Sequence, residues 1–445
     1  MSVKFQAPPE WGIESVPKDG RSLAFKDFAV LWGDLGIGLL VILAGTFLAP
    51  GLGLGPALSV ILLGTALGCL LLGLVGKIGS DTGRPTMALL RPLLGLRGSY
   101  APTALNVLQL LGWAIFEFII MGVATNAVCK LLFGFSCYPL WTAVSALIIV
   151  LMGLAGPVGF VKHWLEKFAV WVALATGVWL SWHLLRSYDL HALLAKAGDG
   201  SLPYWQGVDL VIALPISWLP LVADYNRFAR RGSGAFWGTA LGFFVTGSWF
   251  LVMGAYLMLG SSVKQEPKDF ATAIAAIAGW GALLILLADE THNAWADLYS
   301  AAVSTQNIFP KARQRALIVG FGAFCLAAAL LLDITKYQGF LYLLGSFFIP
   351  LFGVLVADYF ALGRRENAGG PAKAARPVLA MAAWLLGFAA YHVADPSIIG
   401  AAIPAWATLV PPALTSIGGS IPSFALSFAF HIVLNLVFSY KRSPE

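Results

Sequence analysis

Runs of largely apolar residues follow one another along nearly the whole of this chain, separated by charged or Pro/Gly-rich breaks. A helix needs about 20 such residues to cross the hydrocarbon of a bilayer. Twelve runs qualify, near 27–49, 56–76, 102–131, 139–154, 162–185, 207–228, 235–259, 270–300, 315–333, 338–360, 376–393 and 420–440. The third and eighth are too long for a perpendicular crossing and imply steep tilt or extension beyond the hydrocarbon. A water-facing exterior is excluded by supply: 11% of the 445 residues are charged, against about 25% in a soluble protein. Four scattered cysteines (Cys69, Cys129, Cys137 and Cys325) make no disulfide framework. Cys129 and Cys137 flank an external turn and could pair, although free thiols are the expectation. The reading is an all-α polytopic membrane protein whose solvent is the lipid bilayer.

The basic residues test this count, because loops on the cytoplasmic side carry the excess of Lys and Arg. With the N-terminus inside, 22 of the 28 Lys and Arg fall in inside segments and six outside. No basic residue then needs to sit at the bilayer centre. The net charge of +6 is therefore a topology signal and gives no reason to invoke a nucleic-acid partner. Residues 1–26 contain Pro8, Pro9, Trp11, Lys18 and Arg21 and lack the short apolar core of a cleavable leader. They are expected to form a cytoplasmic tail, with the C-terminus on the same side and the chain in the bacterial inner membrane.

Acids break the apolar pattern. Asp34, Glu117, Asp289, Glu290 and Asp297 fall inside expected spans, and each costs about 3 kcal/mol at a helix centre. The eighth span carries three of them, with His292 and Asn293, in ADETHNAWAD. It must face a wet cavity or partners inside the bundle. The alternative is a helix that starts later and leaves Asp289 and Glu290 at its mouth. In the first span Gly33, Gly36 and Gly38 surround Asp34. In the sixth, Pro215 and Pro220 bracket Ser217 and Trp218. Both sequences suit interrupted helices, which are tolerated at membrane depth only beside a cavity. Two interruptions five spans apart point to inverted five-helix repeats with a site at mid-membrane.

The third span places Trp113 and Glu117 four residues apart, one turn from each other on a single face, with Asn106 and Gln109 continuing the polar stripe. An indole beside a carboxylate suits a flat heterocycle, and an amidine-like edge offers a carboxylate two parallel donors. From this span alone, Trp113 serves equally well as one more packing aromatic.

With these segments in view, the sequence resembles the nucleobase–cation symporter family, the permeases of purines, cytosine, hydantoins and thiamine precursors. The resemblance rests on LWGDLGIGLLVILAGTFLAP, IGSDTGRPTMALLRPLLGLRGS, NVLQLLGWAIFE, ALPISWLPLVADYNRFAR and ADLYSAAVS. The branch it is most similar to includes cytosine and hydroxymethylpyrimidine permeases. It implies a fold like that of the leucine-type sodium symporters: a first inverted repeat over 27–186, a second over 187–360, a cytoplasmic linker over 361–375 and two accessory helices over 376–445. It implies that Trp113 stacks on the substrate, that Glu117 binds the ring edge, and that Trp218, with Ser217 beside it, and Asp297 complete the pocket. For a cation, it implies backbone carbonyls near Ile37 and Leu40 in the first helix, then the Ala288 carbonyl and side chains at Thr291 and His292 in the eighth. Threonine suits that role; imidazole is a poor ligand for a small hard cation. The coupling ion is thus left open between Na⁺ and H⁺, with Asp289, Glu290, Asp297, Glu117 and His292 as a proton relay in the second case.

The expected function is a cation-coupled symporter that imports a nucleobase, an aminopyrimidine or a vitamin precursor by alternating access, working as a monomer with no cofactor and no catalytic residue. A membrane-embedded enzyme, or a channel or sensor using the acid and histidine cluster of the eighth span, is the alternative.

Overall fold

The computed structural model describes residues 11–154, 170–261, 267–332, 337–363, 377–396, 399, 400, 403–409, 411 and 417–440. The first residues of the expected fifth span (162–169), with His163, and the linker residues 364–376 lie outside them.

The regular elements among the described residues are helices, joined by turns and loops with two isolated β-bridges. In chain order the main helices are α1 (Phe25–Asp34), α2 (Leu39–Thr46), α3 (Leu54–Thr82), α4 (Thr86–Gly98), α5 (Tyr100–Phe133), α6 (Tyr138–Gly153), α7 (Val170–Ser187), α8 (Leu190–Ala195), α9 (Tyr204–Ser217), α10 (Val222–Asn226), α11 (Gly232–Gly260), α12 (Pro267–Ala278), α13 (Trp280–Ile308), α14 (Gln314–Ala329), α15 (Tyr337–Val356), α16 (Pro377–Ala394), α17 (Pro404–Leu409) and α18 (Ser420–Tyr440). By length and apolarity, seven of the described helices can cross a membrane, or eight when the bent first pair counts as one span. Two shorter apolar helices, α6 and α14, accompany them.

Burial is arranged for a lipid solvent. Leu131, Leu151, Trp171, Val178, Leu331 and Leu436 are more than half exposed, whereas Asp34, Glu117, Asp289, Glu290 and Asp297 are each 3% exposed or less. Polar groups gather inside because hydrocarbon offers them no partner. α13 packs along α5, and α11 packs against α1, α2 and α3. The α1–α11 approach is close: a Cβ on Gly36 would meet the Thr246 hydroxyl and the Gly247 backbone nitrogen.

Both expected interruptions are present, in different forms. The first span bends by 60° between Asp34 and Leu39. In the sixth, helical bonding gives way to tight turns: Leu219 N–H bonds to the Ile216 carbonyl and Leu221 N–H to that of Trp218. Pro215 remains inside α9. One expectation needs correction. The long eighth run is not one tilted helix, because Gly279 takes φ +87° and divides α12 from α13. The stretch after the second span contains α4, kinked at Gly95, which buries Met87, Leu90, Leu93 and Leu94.

The N-terminal segment is tied down. Val16 N–H bonds to the Gly83 carbonyl and Leu23 N–H to that of Phe228. Arg21 donates to the Ser80 carbonyl, and the fully buried Arg227 to that of Gly12. These bonds close the bundle end formed by α3 and α10.

Candidate functional site

The bend in the first span leaves the first amides of α2 without helical partners. Glu290 on α13 supplies the acceptors: Leu39 N–H donates to Oε2 at 2.8 Å and Leu40 N–H to Oε1 at 3.4 Å. A carboxylate at a helix N-terminus also complements the helix dipole. Gly38 is required there, since a Cβ would stand 2.9 Å from Glu290 Oε2 and 3.1 Å from Asn293 Nδ2. The Glu290 and Glu117 carboxyls border the same cavity.

Beside this carboxyl pair lies a small cavity of about 30 Å³. Its walls come from both interrupted spans (Leu35, Gly38, Leu40 and Val41; Leu214, Ser217 and Trp218), from Trp113 and Glu117 of α5, and from Glu290, Asn293 and Asp297 of α13, with Phe243 and Tyr337. Trp113 and Trp218 thus border one cavity, and neither faces lipid. Trp113 is held edge-on by Tyr337 and Phe340, at centroid distances of 5.6 and 5.4 Å. Trp218 is held by Trp32 at 6.0 Å and 85°.

Several polar atoms bordering the cavity lack a protein partner among the described residues: Trp113 Nε1, Glu117 Oε2 and Asn293 Oδ1. Buried polar groups are rarely left so, and one donor among several acceptors suits a planar guest that donates more hydrogen bonds than it accepts. Ser217 lines the wall, although its hydroxyl donates to the Leu214 carbonyl at 2.6 Å. Gln109 is not a wall residue. Its amide donates to the Ser217 carbonyl at 3.0 Å and to Asn106 Oδ1 at 2.9 Å, bracing the break in the sixth span. Asn106 in turn bonds to Ser304 on α13.

The cation ligands suggested by the resemblance fare differently. Ile37 lies in the break and Leu40 in the first turn of α2, beside α13 at a polar junction. The Ile37 carbonyl accepts from Asn293 Nδ2 at 3.2 Å and the Leu40 carbonyl from the Tyr337 hydroxyl at 3.3 Å. The Ala288 carbonyl accepts from the Thr291 hydroxyl at 2.6 Å. His292 Nδ1 lies 2.8 Å from Asp34 Oδ2 and 3.7 Å from Asp289 Oδ1. The side chains of Asp34, Asp289 and His292 form one buried cluster. The three carbonyls thus accept side-chain donors, while Asp34 Oδ1, both Asp289 carboxylate oxygens and Asn293 Oδ1 have no hydrogen-bond partner among the described residues.

Tyr337, Asn293 and Glu290 are site residues that sequence reasoning left out of the pocket. Glu290 and Asn293 stood out as polar residues in a span, but nothing gave their direction. Tyr337, just before the expected tenth span, carried no signal. Cys129 and Cys137 are free, as are Cys69 and Cys325.

Comparisons with known proteins show what the chain is similar to. The family model described as a permease for cytosine/purines, uracil, thiamine and allantoin matches residues 15–398. A hydantoin permease from Microbacterium maritypicum is 24% identical over 373 residues, 78% of this chain and 74% of the relative. A cytosine permease from Escherichia coli (strain K12) is 28% identical over 374 residues, 80% of this chain and 84% of the relative. Among solved structures, Mhp1, a nucleobase-cation-symport-1 family transporter in a closed conformation with bromovinylhydantoin bound, superposes with a TM-score of 0.76 at 20% identity, covering 97% of this chain and 96% of that one. A Na⁺-coupled sialic acid symporter superposes with a TM-score of 0.61 at 12% identity, covering 97% and 93%.

Proposed function

Because this chain belongs to the family of permeases for cytosine/purines, uracil, thiamine and allantoin, we propose that it is a cation-coupled symporter importing a planar heterocycle with an amidine-like edge, of the cytosine or hydroxymethylpyrimidine kind. The observation that carries this reading is the meeting of Trp113, Trp218 and Glu117 at one cavity between two interrupted spans. The ring lies between the indoles. Its N–H edge donates to Glu117, with Asp297 on the polar wall.

The relatives named for hydantoin and for cytosine frame the choice of substrate. An acidic wall favours the second. An imide edge presents N–H between carbonyl oxygens, which a carboxylate repels. An amidine edge presents an amino donor beside a ring nitrogen that accepts a proton, so Glu117 and the ring nitrogen together hold one proton between them. Neutral aminopyrimidine with protonated Glu117, or protonated ring with carboxylate, has the same charge.

Transport follows by alternating access. Residues 27–186 and 187–360 act as inverted repeats, 376–445 hold accessory helices, and twelve spans cross the inner membrane with both termini cytoplasmic. The protein works as a monomer. The helix pairs around the first and sixth interruptions rock about the bound ring, and the segment near Trp11–Leu23 closes the cytoplasmic end between cycles. The coupling ion is Na⁺ or H⁺.

A ligand that binds only the folded state raises its melting temperature. Purified protein screened against nucleobases, aminopyrimidines, hydantoins and allantoin, with and without sodium and at two pH values, is expected to respond most to an aminopyrimidine. Stabilisation by hydantoin or allantoin and by no aminopyrimidine would refute the edge assignment. No response to any heterocycle would refute the pocket.

A further inference from the structure

Trp218 stands on the least regular backbone of the site. It ends α9, and the chain reaches α10 through tight turns: Trp218 N–H bonds to the Pro215 carbonyl at 3.3 Å, and Leu221 N–H to the Trp218 carbonyl. Inside a helix, the backbone sets the direction of a side chain. At such a break the neighbours must aim it. Among the described residues, the ring seated against Trp218 is that of Trp32, edge-on at 6.0 Å and 85°. Trp32 is fully buried in α1 and is not a wall residue of the cavity. It also meets Tyr225 of α10 edge-on, at 6.1 Å and 88°, so it is wedged between the two halves of the sixth span. Its Nε1 donates to Asn226 Oδ1 at 3.1 Å. An indole N–H can only donate, which commits the Asn226 oxygen and leaves Nδ2 to donate to the Thr239 hydroxyl of α11 at 2.8 Å. Asn226 is itself fully buried, with Nδ2 pressed against α3 where a Cβ on Gly76 would overlap it.

We propose that Trp32 and Asn226 are positioning residues for the substrate ring: Asn226 fixes the plane of Trp32, and Trp32 fixes the plane of Trp218. Neither touches the ring. Edge-to-face contact between aromatic groups is directional, so a Trp32 free to turn leaves Trp218 with several orientations. The stacking face is then complete in only a fraction of the molecules, and apparent affinity falls by that fraction. The effect on affinity rests on the reading that a heterocycle lies between Trp113 and Trp218. The effect on the Trp218 side chain needs no ligand, so failure of either is recognised separately.

Two measurements on the purified full-length protein test this. The first is fluorine NMR of substrate-free protein labelled with fluorotryptophan, with the Trp113 and Trp218 lines assigned by their loss in Trp113→Phe and Trp218→Phe. Trp218 gives one line in the wild type and splits or broadens in Asn226→Ala, while the Trp113 line holds. An unchanged Trp218 line in folded Asn226→Ala overturns the proposal. Equal broadening of the Trp113 line also overturns it, because that marks a general loosening of the bundle. The second measurement is a titration with cytosine. Asn226→Ala weakens binding about fivefold, the lower end of what one stacked indole is worth. In Trp218→Ala protein the same substitution weakens it by less than about twofold, since residues that act through one another are not additive. An equal loss in both backgrounds overturns the proposal, because Asn226 then acts by a route other than Trp218. A wild type that binds no heterocycle defeats the transport reading instead, and the fluorine lines still decide the positioning. If Asn226→Ala does not fold, Trp32→Phe, which keeps a ring and removes the N–H, takes its place with the same outcomes.

Discussion

Glu290 offers the sharpest perturbation in the bundle, because one side chain both caps α2 and lines the cavity. It is fully buried and accepts a short bond from Leu39 N–H and a long one from Leu40 N–H. Glu290→Gln keeps one carbonyl oxygen for Leu39 and loses the charge, a cost of about 1 kcal/mol, the difference between charged and neutral hydrogen bonds. Glu290→Ala leaves the Leu39 N–H unsatisfied in a dry interior, about 1–3 kcal/mol, and removes the carboxylate from the α2 dipole, up to about 1 kcal/mol more. The Leu40 bond adds little at 3.4 Å. Melting of the purified protein should therefore rank wild type above Gln above Ala, with the Ala deficit two to three times that of Gln in rough terms. Equal melting of wild type and Ala would refute the capping role. Equal loss in Gln and Ala would show that charge alone matters, not the acceptor.

Four other outcomes are expected. Trp113→Ala removes one stacking face, worth about 1–3 kcal/mol per base, so heterocycle affinity in a binding assay should fall about 5- to 150-fold while folded protein persists in the membrane. Glu117→Ala should abolish uptake, and Glu117→Gln should weaken aminopyrimidine binding about tenfold (about 1.4 kcal/mol) while improving binding of an imide such as hydantoin relative to wild type. Gly38→Ala should lose uptake, measured in cells expressing normal amounts of protein, because its Cβ displaces the Glu290 and Asn293 side chains. Thiol labelling of folded protein should find Cys137 most reactive, since Cys69, Cys129 and Cys325 are buried, and no Cys129–Cys137 disulfide should appear on non-reducing gels.

What the sequence disclosed depended on how locally each feature is encoded. The apolar runs gave the helices because hydrophobic length is read within one segment. The bend in the first span was legible from its glycines, yet they do different things. Gly33 lies inside α1, Gly36 admits the packing of α11, and Gly38 alone makes room for Glu290 and Asn293. The third-span pair was legible because four residues make one helical turn, and both side chains do line the cavity. Gln109 lies on the same face but is drawn to the broken sixth helix, a partner 108 residues away. The division at Gly279 was hidden because apolar residues continue on both sides and only the positive φ interrupts the helix. The junction was hidden for a similar reason. Thr291 and His292 are neighbours in sequence, but Thr291 bonds back to Ala288 within α13, whereas the meeting of His292 with Asp34 depends on how α1 and α13 pack.

The central claim is that a planar ring is held between Trp113 and Trp218 with its donor edge on Glu117. A density map of the purified protein saturated with cytosine tests it most directly. The account predicts a flat feature between the two indoles with its amino edge within hydrogen-bond distance of the Glu117 carboxyl. Cytosine bound elsewhere in the molecule, or lying in this cavity with its amino edge turned away from Glu117, would contradict it.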